Sequence, residues 1–233
     1  AALQRELALT RLVVVNDFVA NALAVPHLGP ADRRAVGGGT AAQDAPIGVL
    51  GPGTGLGVSG LVPGPSRFIA LASEGGHATM APDDAQESAV LDCLRRRFGH
   101  VSAERVLSGQ GLVNLYTALA ELAGVAAAPF TPEQITDHAL GERETLPRAA
   151  LEMFCAMLGA VAGNLALTLG ARGGIYIAGG IVPQLGERFT RSAFRRRFEA
   201  KGRFQSYLAA IPTYVVTHPV PAFLGLTTLL NRD

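Results

Sequence analysis

Cysteine is nearly absent. Cys93 and Cys155 are the only two in 233 residues. Two cysteines can build neither a disulfide framework nor a four-cysteine zinc site, and such usage suits a reducing, cytoplasmic compartment. Net charge is nearly absent too. At +1 there is no electrostatic case for a nucleic-acid or anionic-membrane partner. The first 20 residues alternate charge and leucine, without the continuous apolar core of a secretory leader. Internal repeats and low-complexity tracts are also missing. Apolar residues, in contrast, make up 48% of the chain and charged ones 17%. That composition belongs to a globular, well-cored protein, and the length allows one large domain or two small ones.

The longest apolar stretch, residues 151–170, has the length of a membrane span. Glu152 and Asn164 interrupt it. Its small-residue run Gly159-Ala160-Val161-Ala162-Gly163 suits a buried helix packed closely through its glycines, and that is the expectation. At the other end, residues 2–11 read as an amphipathic helix feeding a strand at 12–15. Nothing earlier in the chain could pair with that strand, so further residues are expected upstream of Ala1.

The most informative local feature is Gly51-Pro52-Gly53-Thr54-Gly55-Leu56-Gly57, arriving off the apolar run Ile47-Gly48-Val49-Leu50. Apolar residues that end in alternating glycines read as a buried strand entering a tight loop. Glycines leave backbone N–H groups open to wrap a phosphate, and Thr54 adds a hydroxyl donor. The dinucleotide fingerprint fails because position 56 is Leu56, and the P-loop fails because the loop has no lysine. A ligand-free turn remains the alternative.

Further strands are expected at 58–61, 67–72, 174–178 and 214–217. Helices are expected at 18–25, 85–98, 103–107, 111–123, 132–140 and 148–169, with one between the last two strands and one near 223–230. This mixture is an α/β pattern. Arg95-Arg96-Arg97 and Arg195-Arg196-Arg197 read as solvated helix faces.

Four segments could carry chemistry. Asn16 and Asp17 stand where a strand gives way to a helix. They could be helix caps, or could line a ligand crevice, where a carboxylate accepts a hydroxyl proton. Ser73-Glu74-Gly75-Gly76-His77 places an acid and an imidazole three apart. Its glycine pair favours a loop facing a polyol over a metal-binding helix, with an incidental polar turn as the alternative. Glu104 falls in a first helical turn, where the dipole favours an acid. Gly179-Gly180, after the apolar run Ile175-Tyr176-Ile177-Ala178, would let a flat ligand approach the backbone.

Together these pieces resemble the bacterial glucokinase family, ATP-dependent sugar kinases of the actin/hexokinase-type fold. The resemblance runs from Val13 to about Leu229. It rests on Val15-Asn16-Asp17-Phe18, the glycine loop 51–57, Glu74-Gly75-Gly76-His77, HVSAERVLSG from His100, GLVNLY from Gly111, GNLAL from Gly163 and IAGGIVP from Ile177. It implies a two-lobed α/β ATPase-domain fold. Residues 1–27 and 218–233 would form an incomplete small lobe, and 28–217 a large lobe holding ATP and sugar contacts.

By the same resemblance Asp17 is the base for the 6-hydroxyl of glucose. Asn16, Glu74, His77 and Glu104 bind other sugar hydroxyls. Gly53, Thr54 and Gly55 hold ATP phosphates, Gly179 and Gly180 meet the adenosine side, and Mg²⁺ accompanies the nucleotide. No protein-held metal site is implied, and a homodimer is. The family's first phosphate loop, of the type Asp-x-Gly-Gly-Thr, has no counterpart in residues 1–233, so this stretch alone is expected to turn over little or nothing. Two rivals stand beside this reading. Repressor-type kinases of other hexoses carry a cysteine cluster after the Glu-Gly-x-His segment, and none follows His77 here. A non-catalytic sugar-sensing regulator would keep the pocket and add a helix-turn-helix.

Overall fold

A computed structural model describes residues 2–141 and 145–230. The apolar run before the glycine loop becomes a central strand, β2. Six strands form one mixed sheet: β1 (Arg33–Ala35), β2 (Ile47–Pro52), β3 (Leu56–Pro63), β4 (Phe68–Ala72), β5 (Ile175–Ile177) and β6 (Thr213–Val216). Their spatial order is β1-β6-β5-β2-β3-β4. β2 pairs antiparallel with β3 and parallel with β5, and β5 pairs parallel with β6. Every residue of β2 is buried, which is why its sequence shows no polar alternation.

Both faces of the sheet are covered by helices. In chain order the helices of the described residues are α1 (Ala2–Glu6), α2 (Asp17–Ala24), α3 (Ala85–Phe98), α4 (Gly109–Leu122), α5 (Pro132–Leu140) and α6 (Leu146–Leu169). Then come α7 (Ile181–Gln184), α8 (Glu187–Arg191), α9 (Phe194–Glu199), α10 (Gln205–Ala209) and α11 (Pro221–Leu230). The larger core lies on one face, where Leu50, Ile177 and Val215 meet Leu91, Leu115 and Phe154 from α3, α4 and α6. The smaller core lies on the other face, where Val49, Leu61 and Tyr176 meet Phe18 and Leu23 from α2 and Leu229 from α11.

α6 is the one helix among the described residues long and apolar enough to cross a membrane, and 67% of its apolar window is buried inside the fold. Its start and stop are written in the chain. Thr145 caps the first turn, Pro147 occupies it, and Gly170 closes the helix in the left-handed region at φ 59. The expected close packing through its glycines is present. A Cβ on Gly159 would lie 2.2 Å from the Phe194 carbonyl oxygen of α9.

Several elements differ from expectation. Residues 11–16 carry no regular structure, and Val14 is 85% exposed. No strand among the described residues runs beside them, and an isolated β-branched run cannot satisfy its backbone in a ladder. The first helix is shorter than expected, ending at Glu6. Residues 103–107 give only a 3₁₀ turn, Ala103–Arg105. Strand β1 is not among the expected strands, because Arg33-Arg34-Ala35 has no apolar signal. The Arg33 guanidinium lies 4.8 Å from the Tyr214 ring centre and donates to the Tyr176 hydroxyl at 2.7 Å. Four short helices, not one, fill the stretch between β5 and β6. The second arginine triplet is solvated only at Arg196. Arg197 is 5% exposed because the Glu87 carboxylate satisfies it inside the core.

Candidate active site

The glycine loop is the tip of the β2–β3 hairpin. Pro52 pairs with Leu56, leaving Gly53, Thr54 and Gly55 as a three-residue turn. The Gly53 N–H donates to the Gly55 carbonyl at 2.8 Å. Behind the turn lies the N-terminus of α4. Ser108 caps that helix by accepting the Gly111 N–H at 3.0 Å, and the Gly109 N–H donates to the Gly53 carbonyl at 2.9 Å. The positive end of a 14-residue helix therefore abuts the loop, which favours an anion there.

Asn16 and Asp17 begin α2. Asn16 is the N-cap: its Oδ1 accepts the Phe18 N–H at 2.8 Å. Asp17 is the first helical residue, and its Oδ1 accepts the same N–H at 2.9 Å. The capping role and a ligand role coexist, since Asp17 Oδ2 takes no part in this bond. Phe18 turns inward and is 8% exposed, which fixes the start of the helix and leaves the two polar side chains at the opening.

The third wall comes from two short turns. Gly75–His77 is a 3₁₀ turn preceded by Glu74, and Glu104 belongs to the turn Ala103–Arg105. An antiparallel bridge between Thr79 and Ser102 holds these segments side by side. Glu104 Oε2 accepts the Leu56 N–H at 2.9 Å. Its Oε1 stands 3.9 Å from His77 Nδ1, and His77 Nε2 stands 4.0 Å from Glu74 Oε2. Those separations are too long for direct hydrogen bonds and leave room for a bridging hydroxyl.

Asn16, Asp17, Glu74 and Glu104 line one cavity of about 330 Å³ together with Gly53, Thr54 and Gly55. That volume is at the small end of ligand pockets. His77 is not part of the cavity wall; its ring lies between Glu74 and Glu104. Gly179 belongs to this cavity and also to a second one of about 430 Å³, lined further by Gly180, Gln184, Thr217 and His218. The two glycines of the pair play different parts. Gly179 has φ 86, and its Cβ would lie 2.4 Å from the Pro52 carbonyl oxygen, so the protein's own backbone uses the space. Gly180 would meet nothing within 4 Å and opens onto the second cavity.

One wall residue escaped the sequence reading. Asn21 borders both cavities. It lies one helical turn after Asp17, and that i, i+4 spacing on α2 was the available signal. Among the described residues no group of three or more His, Cys, Asp or Glu could hold a metal ion.

The match to known proteins covers the whole chain. The sequence model of the family described as Glucokinase matches residues 1–233. A glucokinase of Paramagnetospirillum magneticum is 58% identical over 229 residues, 98% of this chain and 71% of that protein. The bifunctional protein glk of Burkholderia pseudomallei is 54% identical over 234 residues, 100% of this chain and 36% of that protein. Among solved structures, a glucokinase from an Antarctic psychrotroph superposes with TM-score 0.92 at 35% identity, covering 100% of this chain and 72% of that one. A sheet with helices on both faces, an acid-lined cavity at a glycine hairpin and similarity along the full length agree: the chain belongs to the glucokinase family.

Proposed function

We propose that this chain carries the sugar and nucleotide contacts of an ATP-dependent glucokinase, which moves the γ-phosphoryl group of ATP to the 6-hydroxyl of glucose. One observation carries the assignment of roles. Asp17, Glu74 and Glu104, far apart in sequence, line the same cavity as Gly53-Thr54-Gly55. A sugar among the acids would hold its hydroxyl toward a phosphate at the loop.

In this reading Asp17 is the base. Its Oδ1 is anchored by the Phe18 N–H, which leaves Oδ2 to take the proton from the 6-hydroxyl. The O6–P bond forms as the bond from the γ-phosphorus to the β–γ bridging oxygen breaks, and ADP departs. Asn16, Glu74, His77 and Glu104 select the sugar, because a misplaced hydroxyl would leave one of them unpaired. Gly53, Thr54 and Gly55 meet the phosphates, aided by the positive end of α4. Gly179 and Gly180 meet the adenosine side in the adjoining cavity.

Mg²⁺ belongs to this reading as part of the nucleotide substrate. It keeps several waters and binds mainly through phosphate oxygens, so it needs no cage of protein ligands. All of these contacts come from residues 1–233, which hold no Asp-x-Gly-Gly-Thr loop. The lobe division at 27/28 and 217/218 belongs to the same proposal; residues 1 and 231–233 of the small lobe lie outside the described residues. Cytoplasmic residence and a homodimer complete it, the former supported by two buried, unpaired cysteines.

The test is ATP-dependent formation of glucose 6-phosphate, followed by a coupled dehydrogenase, with the protein as its gene encodes it. Glucose should react well ahead of its epimers. No sugar phosphate from glucose, or equal rates with every hexose, would overturn the assignment.

A further inference from the structure

The loop assigned to the nucleotide and the carboxylate assigned to the sugar are in contact. Glu104 Oε2 accepts the Leu56 N–H at 2.9 Å. A Cβ built on Gly55 would lie 2.4 Å from that same oxygen. The segment around His77 reaches the same residue through its next peptide: a Cβ on Gly76 would lie 2.1 Å from the Leu56 carbonyl oxygen. Leu56, just past the turn, is thus approached closely by both sugar-side turns. Gly53, at the other end of the loop, differs. A Cβ there would meet nothing within 4 Å.

We propose that Gly55 is a positioning residue for the sugar, acting through Glu104. The space its missing side chain leaves is occupied by the Glu104 carboxylate. The Leu56 N–H then fixes that carboxylate in the cavity before any sugar arrives. This rests on the reading of the cavity as a glucose site, and it adds a consequence: a change in the phosphate-side loop alters sugar affinity with no nucleotide present.

The sterics make the effect specific. Gly55 does not use a positive φ, so alanine is allowed by the backbone at that position. The atom a new methyl meets is the end of a flexible side chain, which swings aside and leaves the hairpin intact. Displaced, Glu104 loses the Leu56 N–H and its aim at the sugar. Loss of one hydrogen bond to a charged group weakens binding by about tenfold.

The experiment measures glucose affinity by calorimetry, without nucleotide, on the protein as its gene encodes it. The versions are wild type, Gly55→Ala, Glu104→Ala and the Gly55→Ala/Glu104→Ala double variant. Gly55→Ala should weaken glucose about tenfold. Gly55→Ala added to Glu104→Ala should leave glucose affinity within about twofold of Glu104→Ala alone, because the carboxylate it displaces is gone. A second readout does not need measurable affinity: the Leu56 amide resonance of the sugar-free protein should move in Glu104→Ala, and should not move further when Glu104→Ala is added to Gly55→Ala. Wild-type affinity in Gly55→Ala, an equal further loss in the Glu104→Ala background, or an unmoved Leu56 amide would each overturn the proposal. Failure of the wild type itself to bind glucose would overturn the glucose reading of the cavity, and this proposal with it.

Discussion

The buried pair between Arg197 and Glu87 offers the sharpest test of how the large core is held. Arg197 is 5% exposed and Glu87 2%. The guanidinium donates to Glu87 Oε1 at 2.6 Å and to Oε2 at 3.1 Å, and its Nε lies 3.1 Å from Asp83 Oδ2. Glu87 is the third residue of α3 and Arg197 lies on α9, so the pair ties the two helices together. Arg197→Met would leave the Glu87 charge buried without its partner, a loss of about 3–5 kcal/mol. At about 2–4 °C per kcal/mol for a domain of this size, the midpoint should drop by about 6–20 °C. Replacing both residues, as Glu87→Leu with Arg197→Met, removes the stranded charge and should recover most of the loss. Thermal unfolding followed by circular dichroism reads both. A single variant that melts within about 2 °C of wild type would refute the reasoning. So would a double variant as unstable as the single one, which would point to lost packing in place of an uncompensated charge.

Two further outcomes follow from local chemistry. Asn16→Ala removes the cap of α2 and should lower stability by about 1 kcal/mol, read as a midpoint shift of a few degrees; an unchanged midpoint would mean that the Asp17 Oδ1 bond alone suffices. Burial pushes the Cys155 thiol up from its ordinary 9.0 to about 12. Iodoacetamide at neutral pH should therefore leave it unmodified in the native protein, and rapid alkylation would contradict that burial. Between about pH 9 and 12 the unfolded thiol loses its proton while the folded one keeps it, so stability should fall as pH rises through that window, and less so in Cys155→Ala.

The parts of the fold legible in sequence were those with a strong local signal. β2 announced itself by an unbroken apolar run ending in glycines, and α6 by its length, its Pro147 start and its Gly170 stop. The cavity-wall residues legible in sequence were those where a residue type and a chain reversal coincide, as at Asn16-Asp17 and Glu74, whereas His77 stands outside the wall. Features set by partners distant in sequence were not legible. β1 is a strand only because Arg33 finds Tyr176 and Tyr214. Residues 12–15 have every local mark of a strand and, among the described residues, no neighbouring strand to make them one. Arg197 reads as surface until Glu87, 110 residues away, is placed beside it. The bond from the Leu56 N–H to Glu104 is likewise invisible before folding, because no spacing in the chain relates the two.

The most direct test of the catalytic reading is Asp17→Asn, made in the protein as its gene encodes it and assayed for both turnover and glucose binding. Asparagine keeps the Oδ1 acceptor that holds the Phe18 N–H, keeps the shape of the cavity, and cannot take a proton. Turnover should fall by at least about a hundredfold, the ordinary loss when a positioned base is removed. Glucose affinity should change by no more than about tenfold, since the other residues proposed for the sugar, Asn16, Glu74, His77 and Glu104, are unaltered. Turnover within about tenfold of wild type would contradict a base at position 17.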